Sequence, residues 1–421
     1  MIMQGQYSQN KLKYPLDGLK VNELREEAFK NFSLVGLPTK NDEAWKFTSL
    51  NEFKDIQWNV PFEEKFLTHD QMSYVSKYLP SDFHNLVFIN GSLNKTLSDI
   101  DVVLCDEDIA VDDLKINEND PDYKLTQLSR SFAHHKKTLI IDKNTKLSKP
   151  VQIMNICSGD VSFLIQPIFN IKVSDDCELK LIHHVLGLQN YASKTQALNI
   201  DLLIDVGARA NVKFVNIENS LNKDFCFERI KINLQNNSTI TSLDLGLGSK
   251  VARHYLEVKF NGENSDAGVF GLSLLADTQH CDHYTFIQHV KGNNQSVQHY
   301  KSILTDKSRS VFRGRVRIEP NAQKANSEQL NNNLLISRAA LVDSVPQLEI
   351  YADDVKAGHG STVGQLNKEE IFYFLSRGIS ERQAVQMLSY GYAKELVYKL
   401  DNDIIQNFVF QILDEKLSDI F

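Results

Sequence analysis

The stretch LEVKFNGENSDAG, residues 256–268, decides the fold class of this chain. Leu256, Val258 and Phe260 alternate with a glutamate and a lysine, which is the two-residue period of a strand with one buried face. The residues that follow, NGENSDAG, are rich in glycine and asparagine and predict a turn. A short strand closed by a polar turn is the unit expected of an all-β body.

The same unit recurs from about residue 137 to residue 360. Phe312, Gly314, Val316 and Ile318 alternate with arginines, and further turn-rich breaks occur at Asn236, Lys291 and Thr305. No TPR, ankyrin, WD40 or hexapeptide repeat is legible. The periodicity predicts many short strands but leaves a sandwich, a barrel and a β-helix open.

Both ends of the chain predict helices. Residues 17–32 place apolar side chains on one helical face. Near the other end, Asn367 with Glu370 and Ser380 with Gln383 have capping-box spacing, so helices are expected to begin at about Lys368 and Glu381.

Three regions follow: an N-terminal helical region with an acidic connecting segment (1–136), a β core (137–363) and a C-terminal helical region (364–421). The last region carries a long apolar stripe, which could pack on the chain's own β body or on a partner subunit.

Composition excludes several classes of protein. The chain has 421 residues and a formal net charge of -8, which provides no basic surface for nucleic acid. Nothing approaches the roughly 20 apolar residues of a membrane span, and the first residues lack the apolar core of a signal peptide, so a cytoplasmic location is expected. The five cysteines are scattered without CxxC spacing, which argues against a disulfide framework or a zinc knuckle.

Two groups of side chains could bind ligands. One is the densest set of metal-capable residues, in which Cys281 and His283 would share a strand face; a structural role is the favoured interpretation. Its members are His280, Cys281, His283, His289 and His299. The other group is Arg313, Arg315 and Arg317, which could clamp an anion or pair with acidic neighbours on a solvated face.

His359, between two glycines, is the best single candidate for a functional residue. Imidazole can bind iron or relay a proton, although a turn histidine bonded to nearby backbone would look the same. No P-loop, GxGxxG, GxSxG or HExxH motif is present, so no catalytic residue and no cofactor-binding residue is predicted.

Four pieces of the sequence carry a family resemblance. The longest is PQLEIYADDVKAGHGSTVGQLNKEEIFYFLSRGIS, residues 346–380; the others are EAWKFTSL (43–50), QHCDHYTFIQHV (279–290) and VFRGRVRIEPNAQKANSEQLNNNLLIS (311–337). Together they resemble the SufB/SufD family of iron–sulfur cluster assembly scaffold proteins, and the SufD branch more than the SufB branch. The resemblance implies a right-handed parallel β-helix core with helical ends.

The resemblance also implies partners. It implies a heterodimer with a SufB-like paralogue, and a SufC-like ATPase that docks on the C-terminal helices and performs the ATP hydrolysis, so that this chain is a non-catalytic scaffold. The chain could also form a homodimer in isolation. No cofactor would be permanently bound, but a transient iron–sulfur cluster could form at the subunit interface, with no nucleic acid or membrane involved.

Particular residues take roles from the same resemblance. His359 falls on the histidine at the paralogue interface and becomes the candidate iron or cluster contact, whereas Ala357 stands where many relatives have cysteine. The expected ATPase-docking residues are Phe372, Tyr373, Arg377, Gly378, Ile379 and Ala384. Two alternatives stay open: a SufB-like scaffold that carries the sulfur acceptor itself, for instance on Cys281, and a β-helical carbohydrate-active enzyme with paired carboxylates.

Overall fold

The computed structural model describes residues 7–8, 19–61, 67–99, 104–108, 120–132, 135–143, 147–188 and 194–421. Its centre is a parallel β-solenoid of about eight turns, with helices before and after it. The mainly β class and the parallel β-helix core with helical ends are therefore confirmed. Among the described helices, none is both long enough and apolar enough to cross a bilayer.

The strands, in chain order, are β1 His84–Ile89, β2 Ser92–Leu93, β3 Leu104–Asp108, β4 His135–Ile141, β5 Val151–Cys157, β6 Leu164–Ile165, β7 Ile168–Val173, β8 Glu178–Gly187, β9 Ala197–Val206, β10 Asn211–Asn219, β11 Phe225–Leu234, β12 Thr239–Gly246, β13 Val251–Phe260, β14 Asp266–Leu275, β15 His280–His289, β16 Gln295–Leu304, β17 Arg309–Ile318, β18 Asn326–Leu335, β19 Leu341–Ile350 and β20 Lys356–Gly364.

The helices are α1 Leu19–Val35, α2 Asn51–Asp55, α3 His69–Ser76, α4 Tyr123–Ser131, α5 Lys368–Leu375, α6 Glu381–Val397 and α7 Asp403–Ile420, with short 3-10 helices at Glu43–Trp45 and Tyr398–Leu400. The two C-terminal helices predicted to begin at Lys368 and Glu381 do so. Ser380 and Gln383 form the predicted capping box, whereas the Asn367 side chain caps its helix by accepting from the backbone N–H of Glu369.

Successive strands of the solenoid alternate between two sheets. From β7 to β20 each strand pairs in parallel with the strand two positions later in the chain. The register stacks Ala197, Phe225, Val251, His280 and Arg309 side by side, so one turn of the solenoid takes 26 to 29 residues there. Apolar side chains from both sheets meet in the interior, including those of Leu256, Val258 and Phe260.

The turns that close these coils depend on left-handed backbone. Asn237, Asn264 and Asn293 have φ values of 57°, 58° and 60° and lie 27 and 29 residues apart. Asparagine tolerates this conformation better than most residues do. The asparagines at this spacing mark the solenoid repeat in the sequence, which the alternation of apolar residues alone did not reveal.

Both outer faces of the solenoid are covered by segments from the ends of the chain. On the face made of odd-numbered strands, Trp45, Phe53 and Trp58 pack against Phe225 and Phe227. Trp45 is almost fully buried, and its indole N–H donates to the Pro121 carbonyl at 3.1 Å, which anchors this turn on the sheet. The face made of even-numbered strands is covered by α6 and α7, together with Val75 of α3 and Tyr78.

The region before residue 137 is not wholly helical. β1 pairs in parallel with β5, and β3 pairs with β4, so strands of this region already belong to the two sheets. The boundary between residues 136 and 137 remains a prediction. Most of the acidic segment between Asp101 and Tyr123 lies outside the described residues.

Candidate functional site

A buried polar cluster lies between the two sheets, around the predicted Cys281 and His283. These two side chains do share a strand face, with Cys281 Sγ 3.4 Å from His283 Nε2. His254 stands beside His283 in register on the neighbouring strand, with ring centroids 4.9 Å apart. Asp244 reaches them from the opposite sheet: its carboxylate oxygens lie 2.8 Å from His254 Nδ1 and 3.1 Å from His283 Nδ1.

The same cluster extends along the solenoid interior. Glu228 Oε2 lies 3.0 Å from His254 Nδ1 and accepts from the Asn216 amide at 2.7 Å. Asn216 also donates to Asp244, and its own oxygen lies 2.7 Å from His183 Nδ1. A continuous network of hydrogen-bonded polar side chains therefore links three turns of the solenoid within an otherwise apolar core.

Mutual charge strongly perturbs the titration of this cluster. Burial by itself would raise the pKa of Cys281, but His283 and His254 bring that pKa down to about 7. Burial would lower the pKa of His283, yet Cys281 and Asp244 raise it to about 9. Despite its burial, the pKa of Asp244 is held well below its usual range by the two histidines. Strongly shifted pKa values in a cluster of interacting ionisable groups are typical of sites that bind ions or carry out chemistry.

The other predicted histidines of this region have structural partners. His280 lies 2.9 Å from Thr48 Oγ1 in the N-terminal region, and His289 lies 2.9 Å from Ser296 Oγ. His299 Nε2 is 2.6 Å from the Asn332 side-chain oxygen. The five metal-capable residues therefore do not form one site; the structure brings together only Cys281 and His283.

The predicted arginine face is a set of ion pairs. Arg315 makes two hydrogen bonds to Glu349, at 2.8 and 2.9 Å, and Arg317 pairs with Glu319 at 2.7 Å. Arg313 is buried and stacks near Tyr284. These contacts favour the structural interpretation over an anion clamp.

His359 lies in the last turn of the solenoid, on β20. This strand pairs with β18 and β19 pairs with β17, and neither has a strand partner on its other side among the described residues. His359 is exposed, as are most side chains of β20. Leu341, Tyr351 and Val363 are 57%, 56% and 56% exposed along this end. The solenoid therefore ends in two open strand edges with apolar side chains beside them.

Helix α5 follows directly and stands apart from the chain's own core. None of its residues is buried, and Phe372 and Tyr373 are 70% and 53% exposed. The Arg377 guanidinium stacks on the Tyr373 ring at 3.4 Å, and Gly378 has a φ of 78°, a left-handed conformation that suits glycine and ends the helix. Ile379 is half-buried.

Ala384 differs from the other five expected docking residues. Its side chain has no exposed surface, because it lies inside the packing of α6. In this structure Ala384 supports its own helix and offers no surface to a partner. The exposed docking candidates are therefore confined to residues 372–379.

The long apolar stripe of the C-terminal region is already covered. Leu396, Phe408, Ile412 and other residues of α6 and α7 pack on the outer face of the even-numbered sheet. Lys301, almost fully buried, adds an ion pair to Glu395 at 2.6 Å and lies 4.1 Å from the Tyr392 ring centroid. Between the two destinations left open by the sequence, these helices use the chain's own β body.

Sequence reasoning missed Asp244 and His254. His254 precedes His283 by 29 residues, which is the length of one turn at that point of the solenoid. A search at this period would have placed the two histidines side by side. No comparable signal marks Asp244, because it enters the cluster from the other sheet.

The fold and these surfaces define a class: a β-solenoid protein with helical ends and an open, partly apolar last turn. Two family models match this chain. "SUF system FeS cluster assembly, SufBD core domain" covers residues 156–392, and "SufBD protein N-terminal region" covers residues 16–149. The chain therefore belongs to the SufBD family of iron–sulfur cluster assembly proteins, as its sequence motifs predict.

Individual relatives agree with this assignment. The chain is 30% identical to the iron-sulfur cluster assembly protein SufD of Escherichia coli (strain K12) over 96% of its own length and 95% of that protein. It is 27% identical to a SufBD family protein of Synechocystis sp. over 90% of its length and 87% of that protein's. A SufBD family protein of Mycobacterium leprae is 29% identical over 51% of this chain and 57% of the relative.

Proposed function

We propose that this chain is a non-catalytic scaffold subunit that supports iron–sulfur cluster assembly by pairing with a SufB-like paralogue and binding a SufC-like ATPase. The observation that carries the proposal is the open last turn of the solenoid. Two parallel strand edges with exposed apolar neighbours favour pairing with another chain, because unpaired backbone groups there can bond to a partner strand.

His359 supports the same assignment of the interface. It is an exposed imidazole on the open strand β20, where a ligand atom from a partner could meet it. Imidazole is a suitable ligand for iron. We infer that a transient cluster forms there between the two subunits, with no cofactor held permanently by this chain.

We assign the docking surface for the ATPase to α5 and the turn that follows it. Exposed aromatic side chains and an accessible arginine are the residue types enriched at the centres of protein interfaces. Two exposed aromatic side chains, Phe372 and Tyr373, and the exposed Arg377 lie within six consecutive residues here. Since α6 and α7 are anchored on the sheet, force applied at α5 would be transmitted to the solenoid.

Pairing with the paralogue is tested by co-expression and affinity purification of the complex. Val363→Asp places a charge beside the open edge and should abolish recovery of the paralogue, whereas Val161→Asp changes a similarly exposed valine, 44% accessible, far from this end and should not. Equal recovery with both variants would refute the edge as the interface. Recovery of a second copy of this chain in place of the paralogue would favour a homodimer.

ATPase docking is tested in the same way with helix variants. Phe372→Asp should remove the ATPase from the complex but leave the paralogue bound, and Leu34→Asp, at a leucine that is 76% exposed in α1, is the matched control. His359→Ala should leave both partners bound and lower the yield of reconstituted cluster. An unchanged yield would remove His359 from the site.

A further inference from the structure

Cys281, His254 and His283 meet in the solenoid interior in an arrangement that the pairing of subunits does not use. The Nδ1 atoms of both histidines face the Asp244 carboxylate at 2.8 and 3.1 Å, so each Nδ1 carries the hydrogen that the carboxylate accepts. In the neutral imidazole the lone pair is then on Nε2. For His283, that atom faces Cys281 Sγ.

We propose that Cys281, His254 and His283 form a buried site for one divalent transition-metal ion of the zinc type, oriented by Asp244. A carboxylate that accepts from the far nitrogen of a metal-binding histidine is the usual outer support of such sites. Here one carboxylate serves two histidines. Thiolate with two imidazoles is a donor set that zinc and similar ions accept, with a further position left for an oxygen donor.

The distance between the thiol and one of the imidazoles suits such an ion. A tetrahedral ion bound at zinc–sulfur and zinc–nitrogen lengths holds the sulfur and the nitrogen about 3.6 Å apart. Cys281 Sγ and His283 Nε2 are 3.4 Å apart, which is within a few tenths of an ångström of that separation.

Two buried polar atoms in this part of the solenoid interior have no hydrogen-bond partner among the described residues. They are Nε2 of His254 and the hydroxyl of Tyr300, whose ring packs 5.1 Å from His283. An ion would satisfy the first as a ligand. Buried polar atoms that stay unpaired are costly, so the unpaired Nε2 of His254 indicates a missing partner.

Gly246 keeps space for the thiol. A Cβ at this position would collide with Cys281 Sγ. On binding, the ion would displace to solvent the protons held by the thiol and by the Nε2 atoms of the two histidines, and its two positive charges would offset the thiolate and the Asp244 carboxylate. Because all of these residues are buried, the ion would enter while the chain folds.

The test is performed on the isolated full-length chain and is independent of either partner. The chain is unfolded with chelator and reductant, refolded with Co²⁺ and desalted. The expected result is about one bound cobalt per chain with the near-ultraviolet charge-transfer band of a thiolate ligand. Cys281→Ala should lose both, and Cys226→Ala, which removes another fully buried thiol of the same sheet, should retain both.

Asp244→Asn tests the positioning role. It should weaken cobalt binding about 10- to 100-fold and preserve the charge-transfer band, because the inner ligands remain. Wild-type protein that refolds without retaining cobalt, or equal retention by Cys281→Ala, would overturn the site in favour of a metal-free ion network. If Cys281→Ala does not refold, His283→Gln and wild type make the same comparison.

Discussion

His184 makes the attachment of the C-terminal helices sensitive to acid. It lies under α7, with its ring 6.0 Å from Phe408 and 5.8 Å from Tyr78, and neither ring nitrogen has a hydrogen-bond partner among the described residues. The Tyr78 hydroxyl donates to Glu415 instead. Burial, with a smaller effect from His183, lowers the pKa of His184 from 6.5 to about 3.

The direction of the change in stability with pH depends on whether the folded or the unfolded chain binds the proton more readily. Below pH 6.5 the unfolded chain protonates His184 while the folded chain keeps it neutral down to about pH 3, so stability is complete above pH 6.5 and is lost as the pH falls. The loss is about 1.4 kcal/mol per pH unit in this window, or about 2 kcal/mol between pH 8 and pH 5.

The perturbation is His184→Leu, and the assay is urea unfolding at pH 8 and pH 5. The variant should lose about 2 kcal/mol less than wild type between the two pH values, because its apolar side chain cannot take up a proton. His69→Gln, at a fully exposed histidine, should show the wild-type loss. If the loss in His184→Leu equals that of wild type, His184 is not the buried neutral group described.

Three further outcomes are expected from the packing. Arg253→Met should cost about 3–5 kcal/mol of unfolding free energy by urea titration, because it leaves two buried carboxylates uncompensated, whereas Arg209→Met, at a solvent-screened surface ion pair, should leave the urea midpoint close to that of wild type. Gly271→Ala should destabilise the chain by about 1–3 kcal/mol or more, since its Cβ would collide with the Tyr300 ring, and an unchanged thermal midpoint would contradict this. Lys301→Met should loosen α6, because it removes the ion pair to Glu395. Amide hydrogen exchange should then be faster than in wild type within α6 and unchanged within β13.

Much of the architecture was legible in short stretches. The alternation at Leu256, Val258 and Phe260 predicted a strand with one buried face, and that strand is β13. Ser380 and Gln383 marked the start of α6 because a capping box depends only on neighbours three residues apart.

The solenoid itself required information beyond local pattern. A two-residue period is the same in a sandwich, a barrel and a β-helix, because it reports one buried face and not which strand lies alongside. Here strands pair with the strand two positions later, and the lengths of the intervening turns set that register. The destination of the C-terminal stripe was open for the same reason, since an apolar face does not specify what covers it.

By itself the sequence determined the alternating strands of the β core, the starts of the first two C-terminal helices and the family, all of which depend on residues close together in the chain. Only the tertiary structure decided that the terminal helices cover their own sheet while Phe372 and Tyr373 remain exposed. It alone brought Asp244 and His254 to Cys281 and His283. Those contacts join residues up to 39 positions apart in the sequence. The stacking of successive turns brings them together, and no local pattern encodes that stacking.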